Sequence, residues 1–276
     1  MLPELPEVES VRRDLEPAMR RARFDEVIVR RANLRTPFPP QFSARLAGHT
    51  VNAVSRRAKY LLLELSSGDT LVMHLGMSGD FRIEPAESIG EPGKHDHVIF
   101  RMSSGKAVVF NDVRRFGFMD LVPPGEADRH PALSVLGPEP LSNEFNAEFL
   151  ARTLKGRKTS LKAALLDQRV VAGLGNIYAS EALHIARLSP RRRASSIATA
   201  SGAPREAAHH LVDAIKQVLT EAIERAAPNT ANNYRGGRFR VYDREGERCR
   251  RRGCPGVIVR KTQAGRSTFY CPVCQK

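Results

Sequence analysis

With 276 residues, 41% of them hydrophobic and 6% aromatic, the chain can bury one large core or two ordinary ones, and wholesale disorder is excluded. Forty-four Lys and Arg against 30 Asp and Glu leave a formal charge of +14, a field that favours a polyanion, nucleic acid ahead of an anionic membrane face. No apolar run approaches the roughly 20 residues of a membrane span, and residues 1 to 20 mix charge, proline and apolar positions unlike a signal peptide. A cytoplasmic protein is expected.

Residues 5 to 19 read as a helix: Pro6 suits its first turn, Glu7 and Glu9 suit its dipole, and Val8, Val11, Leu15 and Met19 form a stripe to be buried. Residues 24 to 121 read as strands. Lys59–Leu65 and Thr70–Leu75 flank a Ser-Ser-Gly-Asp turn, His97–Met102 and Ala107–Asn111 flank a Ser-Ser-Gly-Lys turn, and further runs lie at Val27–Val29 and Val51–Val54. Two such hairpins predict a β-sandwich or barrel. Five prolines between residues 122 and 141 mark a domain boundary. Helices follow at Phe145–Lys155, Leu161–Asp167, Ile177–Arg187 and Pro204–Ala227, the last with Pro204 suited to its first position. Residues 229 to 248 read as a Gly/Asn/Arg-rich loop, and the end as a small hairpin, Val257–Thr262 and Ser267–Tyr270, turning near Gly265.

The cysteines form two close pairs, Cys249 with Cys254 and Cys271 with Cys274, separated by that hairpin. In a cytosolic chain this spacing points to a tetrahedral four-cysteine zinc site, structural because four thiolates leave the ion no open position. The charge is concentrated there too: residues 231–276 carry 12 Lys or Arg against 3 Asp or Glu. Arg266, beside the turn, projects into a groove or is one solvated arginine among many. Gly173-Leu174-Gly175-Asn176, between two helices, is either a phosphate-approaching loop at a helix start or a plain joint, the joint being favoured. Arg114-Arg115-Phe116-Gly117 at a strand end offers an aromatic wedge with Arg to fill a gap in a base stack, or an Arg pair beside a core Phe116. In His74-Leu75-Gly76-Met77-Ser78-Gly79 the glycines predict a tight turn with Met77 exposed, the alternative being a core Met. His95-Asp96-His97 lacks a third metal ligand on its strand and is assigned to structural or phosphate contacts. Pro3-Glu4 ahead of the first helix repeats the proline–glutamate pair of Pro6-Glu7 more than helix entry requires.

Taken together and in this order, Pro3 to Glu9, Arg57-Ala58-Lys59-Tyr60-Leu61-Leu62-Leu63, the HLGMSG turn, the RRFG segment, GLGNIYASEAL from Gly173 to Leu183 and the cysteine finger resemble the bacterial formamidopyrimidine-DNA glycosylase family over nearly the whole chain. Glu-Leu-Pro at positions 4 to 6 resembles its oxidised-purine branch rather than the endonuclease VIII branch. The resemblance implies an α+β fold: an N-terminal helix plus β-sandwich catalytic domain over residues 1–122, a linker over 123–141, a helix–two-turns–helix DNA-binding domain over 142–228, and a loop with a C-terminal zinc-finger hairpin over 229–276. It implies excision of 8-oxoguanine or formamidopyrimidine from damaged double-stranded DNA, then strand cleavage by β,δ-elimination. Pro3 would be the nucleophile, Glu4 the general acid, and Glu7 a support of the active site. Lys59, His74, Asn176 and Arg266 would hold phosphates, with Lys162 and His95 as further DNA contacts. Met77, Arg114 and Phe116 would fill the void left by the everted nucleotide. One structural Zn2+, no dissociable cofactor, no membrane and a monomer are expected.

Three positions depart from the family pattern. Leu2 stands between the initiator Met and Pro3, so the native chain is expected to start one codon later and expose Pro3. The loop Asn229 to Gly237 is short, which puts 8-oxoguanine in question and favours formamidopyrimidines or abasic sites. Val113 replaces a usual proline, and no weight attaches to it. The alternatives are the same fold acting on oxidised pyrimidines, or a non-catalytic binder of damaged DNA if Met1-Leu2 are retained.

Overall fold

A computed structural model describes residues 3–225 and 239–276. The short-loop segment 229–237 and the Met1-Leu2 start therefore lie outside the described residues. The chain divides into two compact units, residues 3–134 and residues 135–225 with 239–276, and the division falls inside the proline-rich stretch. The α+β architecture is as the sequence implied.

The first unit opens with helix α1 (Leu5–Met19), whose Val8, Val11, Leu15 and Met19 are buried as their spacing requires. It continues through β1 (Phe24–Val29), the short helix α2 (Phe42–Leu46), β2 (Val51–Arg57), β3 (Tyr60–Leu65), β4 (Thr70–His74), β5 (Gly79–Pro85), β6 (Asp96–Met102), β7 (Lys106–Asp112) and β8 (Phe118–Val122). These form two four-stranded antiparallel sheets, ordered β1-β6-β7-β5 and β2-β3-β4-β8. Leu61, Leu63 and Leu65 alternate inward along β3 and join Leu71, Met73, Phe24, Phe100, Phe110 and the α1 stripe in one core. Sequence patterning misses β5 and β8. Both are edge strands, and both carry charges (Asp80, Arg82 and Glu84 in β5, Asp120 in β8) that break the apolar alternation.

The second unit holds α3 (Ala147–Leu154), α4 (Leu161–Leu165), α5 (Asn176–Ile185), α6 (Glu206–Arg225) and the hairpin β9 (Val259–Gln263) and β10 (Arg266–Tyr270). Asn146 caps α3, its side-chain oxygen accepting from the Phe149 N–H at 2.8 Å, which places the start two residues later than apolar spacing suggests. Pro204 is not a helical residue: it bridges to Ala198, and α6 begins at Glu206. Ala264 and Gly265 at the β9–β10 turn both take positive φ, 48° and 71°, the pairing a two-residue hairpin loop requires. Among the described residues no helix is long and apolar enough to cross a membrane.

Candidate functional site

In the first unit the functional candidates gather at strand ends and at the start of α1. Glu4 and Glu7 are 2% and 5% exposed, and the Glu4 N–H donates to the Glu7 carboxylate at 2.7 Å. Two buried carboxylates at a helix N-terminus sit where the helix dipole favours negative charge. Pro3, half-buried, directly precedes them.

Lys59 lies in the two-residue turn joining β2 to β3, where Ala58 is forced to φ 53°. His74 ends β4, its ring 4.9 Å from the ring of Tyr60 and 5.8 Å from that of Phe118. Burial, then the charges of Lys59 and Arg35, push its pKa down to about 4, so the ring is neutral near pH 7. Its Nδ1 accepts from the Gly76 N–H at 3.0 Å, which leaves Nε2 as the protonated, donating nitrogen.

The two loops expected to fill a void are built as one piece. Gly76, at φ 63°, lies against the backbone of Phe116 and Gly117, where any Cβ would collide. A Cβ on Gly117 would stand 2.8 Å from the His74 carbonyl. The buried Asp112 organises the second loop: its carboxylate accepts from the Ser78 hydroxyl, from the Arg114 N–H at 3.2 Å and from the Gly117 N–H at 2.8 Å. Phe116 is 41% exposed, with the Arg114 guanidinium 4.7 Å from its ring centroid, so the core alternative for Phe116 is overturned. Met77 is half-buried rather than exposed, because Gly76 folds the turn back onto the second loop.

The His95-Asp96-His97 run splits three ways. His97 is buried with Nε2 at 2.8 Å from the Asp112 carbonyl, Asp96 is bound by Arg82, Asn111 and the Gly93 N–H, and His95 is half-buried at the strand entrance. No metal cluster forms there among the described residues.

In the second unit, Gly175 caps α5 and Asn176 is its first residue. Asn176 Nδ2 donates to the Ser267 carbonyl at 3.0 Å. Lys162, expected at a phosphate, is turned inward instead. It is 1% exposed, and its ammonium donates to the same carbonyl and to Thr268 Oγ1, both at 2.9 Å. Both residues thus hold the finger hairpin one position from Arg266, which is exposed. Cys249 and Cys274 sulfurs lie 3.8 Å apart, Cys254 and Cys271 sulfurs 3.7 Å apart, and all four within 4.8 Å of one another. A tetrahedron of four thiolates about zinc has edges of about 3.8 Å. Burial and the neighbouring sulfurs push the Cys274 thiol up to about 12, so four thiolates can share this space only around a cation. The residues fit the ion.

Family models match both units: the formamidopyrimidine-DNA glycosylase N-terminal domain over residues 2–119 and the formamidopyrimidine-DNA glycosylase H2TH domain over residues 136–233. The chain belongs to the formamidopyrimidine-DNA glycosylase family. It is 56% identical to the formamidopyrimidine-DNA glycosylase of Rhodopseudomonas palustris (strain BisB18) over 293 aligned positions that cover 100% of both chains. Among solved structures it resembles the Lactococcus lactis enzyme bound non-covalently to DNA containing an AP site (TM-score 0.86, 32% identity, 99% of each chain). It also resembles MutM in complex with DNA containing carbocyclic 8-oxo-G (TM-score 0.86, 31% identity, 99% of this chain and 100% of that one).

Two residues of this family member escaped the sequence reading. Asp112 had a local signal, an Asp two residues before an N–H it could accept, at the end of a strand. Glu181 had only a faint one, the one carboxylate of α5. It is 1% exposed and accepts from the N–H groups of Arg240, Val241 and Tyr242 at 2.7, 2.8 and 2.9 Å.

Proposed function

We propose that this chain is a bifunctional DNA glycosylase and abasic-site lyase that removes oxidised purines, 8-oxoguanine and formamidopyrimidines, from duplex DNA and then cuts the strand. The observation that carries the reading is the start of α1, where Pro3 directly precedes the buried pair Glu4 and Glu7. Full-length kinship with a formamidopyrimidine-DNA glycosylase supports it, as do relatives solved on AP-site and 8-oxo-G DNA.

The Pro3 nitrogen attacks C1′ of the damaged nucleoside, the bond from C1′ to the base breaks, and the base leaves carrying a proton. Glu4 protonates the sugar ring oxygen as the ring opens to an iminium. Because proline is a secondary amine, that iminium has no N–H proton to lose and persists as an electron sink. Loss of a C2′ proton then expels the 3′ phosphate, and a second elimination expels the 5′ phosphate. An α-amino pKa of about 8 leaves a usable neutral fraction near pH 7. The scheme requires the chain to begin at Pro3, since an amide-linked proline nitrogen is no nucleophile.

Lys59, the neutral Nε2–H of His74, His95, Asn176 and Arg266 contact phosphates. Met77, Arg114 and Phe116 fill the void, Arg114 facing the orphan cytosine. The exposed Arg114–Phe116 pair supports this assignment. Zinc, held by Cys249, Cys254, Cys271 and Cys274, keeps the finger folded and takes no part in the bond changes. The aligned relative spans 293 positions against 276 residues here, so it carries residues that this chain lacks. A shortened loop before the finger would rank formamidopyrimidines above 8-oxoguanine.

Duplexes carrying formamidopyrimidine, 8-oxoguanine or thymine glycol test the reading. The expected product is a gap with phosphate at both ends, formed fastest from formamidopyrimidine and slowest from thymine glycol. Preference for thymine glycol would assign the enzyme to oxidised pyrimidines, and binding without cleavage would make it a lesion binder.

A further inference from the structure

The finger is tied to α5 at a point that the reaction does not use. His184, in the last turn of α5, is 3% exposed, and its Nε2 lies 3.3 Å from Cys249 Sγ, itself 8% exposed. The same helix end is tied to the chain just past Cys249: the Arg251 guanidinium donates to the His184 carbonyl at 2.6 Å. The other ring nitrogen, Nδ1, is buried and has no partner among the described residues, so the sulfur is the one hydrogen-bonding neighbour the imidazole has there.

A neutral imidazole carries one N–H. With the proton on Nδ1, a bare Nε2 lone pair would face the Cys249 sulfur, which is repulsive once that sulfur is a thiolate. With the proton on Nε2, the ring donates to it. Four thiolates around one divalent ion carry a net charge of −2 in a largely buried place, and N–H donors to sulfur are what stabilise and orient such a cluster.

Resting on the reading of the cysteines as a metal site, we propose that His184 is a positioning residue of that site. Its Nε2–H donates to the metal-bound thiolate of Cys249 and fixes the cluster to the end of α5. Helix α5 then holds the finger at both ends, through Asn176 and Ser267 at its start and through His184 and Cys249 at its finish. The aim of Arg266 depends on both.

The full-length chain loaded with cadmium-113 tests this without any substitution. A coupling across the hydrogen bond between the His184 Hε2 proton and the cadmium nucleus is expected, and its absence in a fully loaded sample would overturn the proposal. Cobalt loading provides the second arm. An intense thiolate-to-cobalt charge-transfer band in the unaltered chain establishes the metal site by itself; its absence would overturn that reading and the role of His184 with it, whereas a band present without the cadmium coupling would overturn the role of His184 alone. His184→Phe, which keeps a ring and loses the donor, should move the band to longer wavelength and speed metal loss to a chelator about tenfold. His184→Gln, whose amide nitrogen falls near the Nε2 position, should restore both. An unmoved band in His184→Phe, with or without faster metal loss, would reduce His184 to a packing residue.

Discussion

The two units each bury a carboxylate that gathers donors from a loop. Asp112 holds the Arg114–Gly117 loop from within five residues, with Ser78 reaching in from the neighbouring strand end. Glu181 holds Arg240, Val241 and Tyr242 from about 60 residues away. The first is a local device: it shapes one turn and leaves Arg114 and Phe116 outward. The second is a long-range clasp between α5 and the segment just ahead of the finger. The Arg114–Gly117 loop therefore rests on Asp112 and on the adjoining Gly76–Ser78 turn, whereas the segment ahead of the finger rests on a partner about 60 residues away in α5.

Stripping the metal is the largest perturbation of that contrast. Structural zinc contributes on the order of 10 kcal/mol to folding in small fingers. Chelation should unfold residues 249–276, abolish DNA binding and leave the thermal transition of the first unit in place. Calorimetry with and without chelator checks this, and one merged transition lost as a whole would break the distinction. Glu181→Ala comes next. It leaves three N–H groups without their acceptor, at about 1 to 3 kcal/mol for each one that stays buried, so a loss of about 3 kcal/mol is expected in the second unit alone, read by hydrogen exchange. Asp112→Asn should cost less, about 1 to 2 kcal/mol, because one oxygen remains to accept. Its effect should fall on lesion discrimination more than on binding to undamaged duplex, measured as the ratio of the two affinities.

A separate expected effect is a pH dependence. His74 is held neutral in the folded chain, down to about 4, whereas an unfolded histidine titrates near 6.5. Between those values the unfolded chain binds more protons, so this contribution is complete above about pH 6.5 and is lost as pH falls toward 4. His74→Gln should flatten that slope. Nitrogen chemical shifts should show His74 neutral and protonated on Nε2 at pH 6.

The same contrast explains what the sequence made legible. The helix stripe of α1, the strongly apolar hairpins and the cysteine spacing are local patterns, and each appears where expected. The turn glycines at 76 and 265 were legible because backbone conformation is a property of one residue. Edge strands β5 and β8 were not, since an edge needs only one covered face and tolerates the charges that hide it. Neither the inward turn of Lys162 nor the clasp of Glu181 could be read. A buried lysine looks like a surface lysine until Ser267 and Thr268, more than a hundred residues later, are folded against it. Phe116 shows the reverse case: whether it joins the core or stands outside was open in sequence and is decided by Asp112 turning the loop.

The central claim is that the Pro3 nitrogen forms a covalent bond to the sugar. It is tested most directly by borohydride trapping on abasic DNA, using protein made from its native gene with its own upstream region, followed by mass spectrometry of the intact chain and of the cross-linked peptide. The account predicts a chain that begins at Pro3 and a reduced adduct on its nitrogen. A chain that retains Met1-Leu2 and yields no adduct, or an adduct on a lysine, would contradict it.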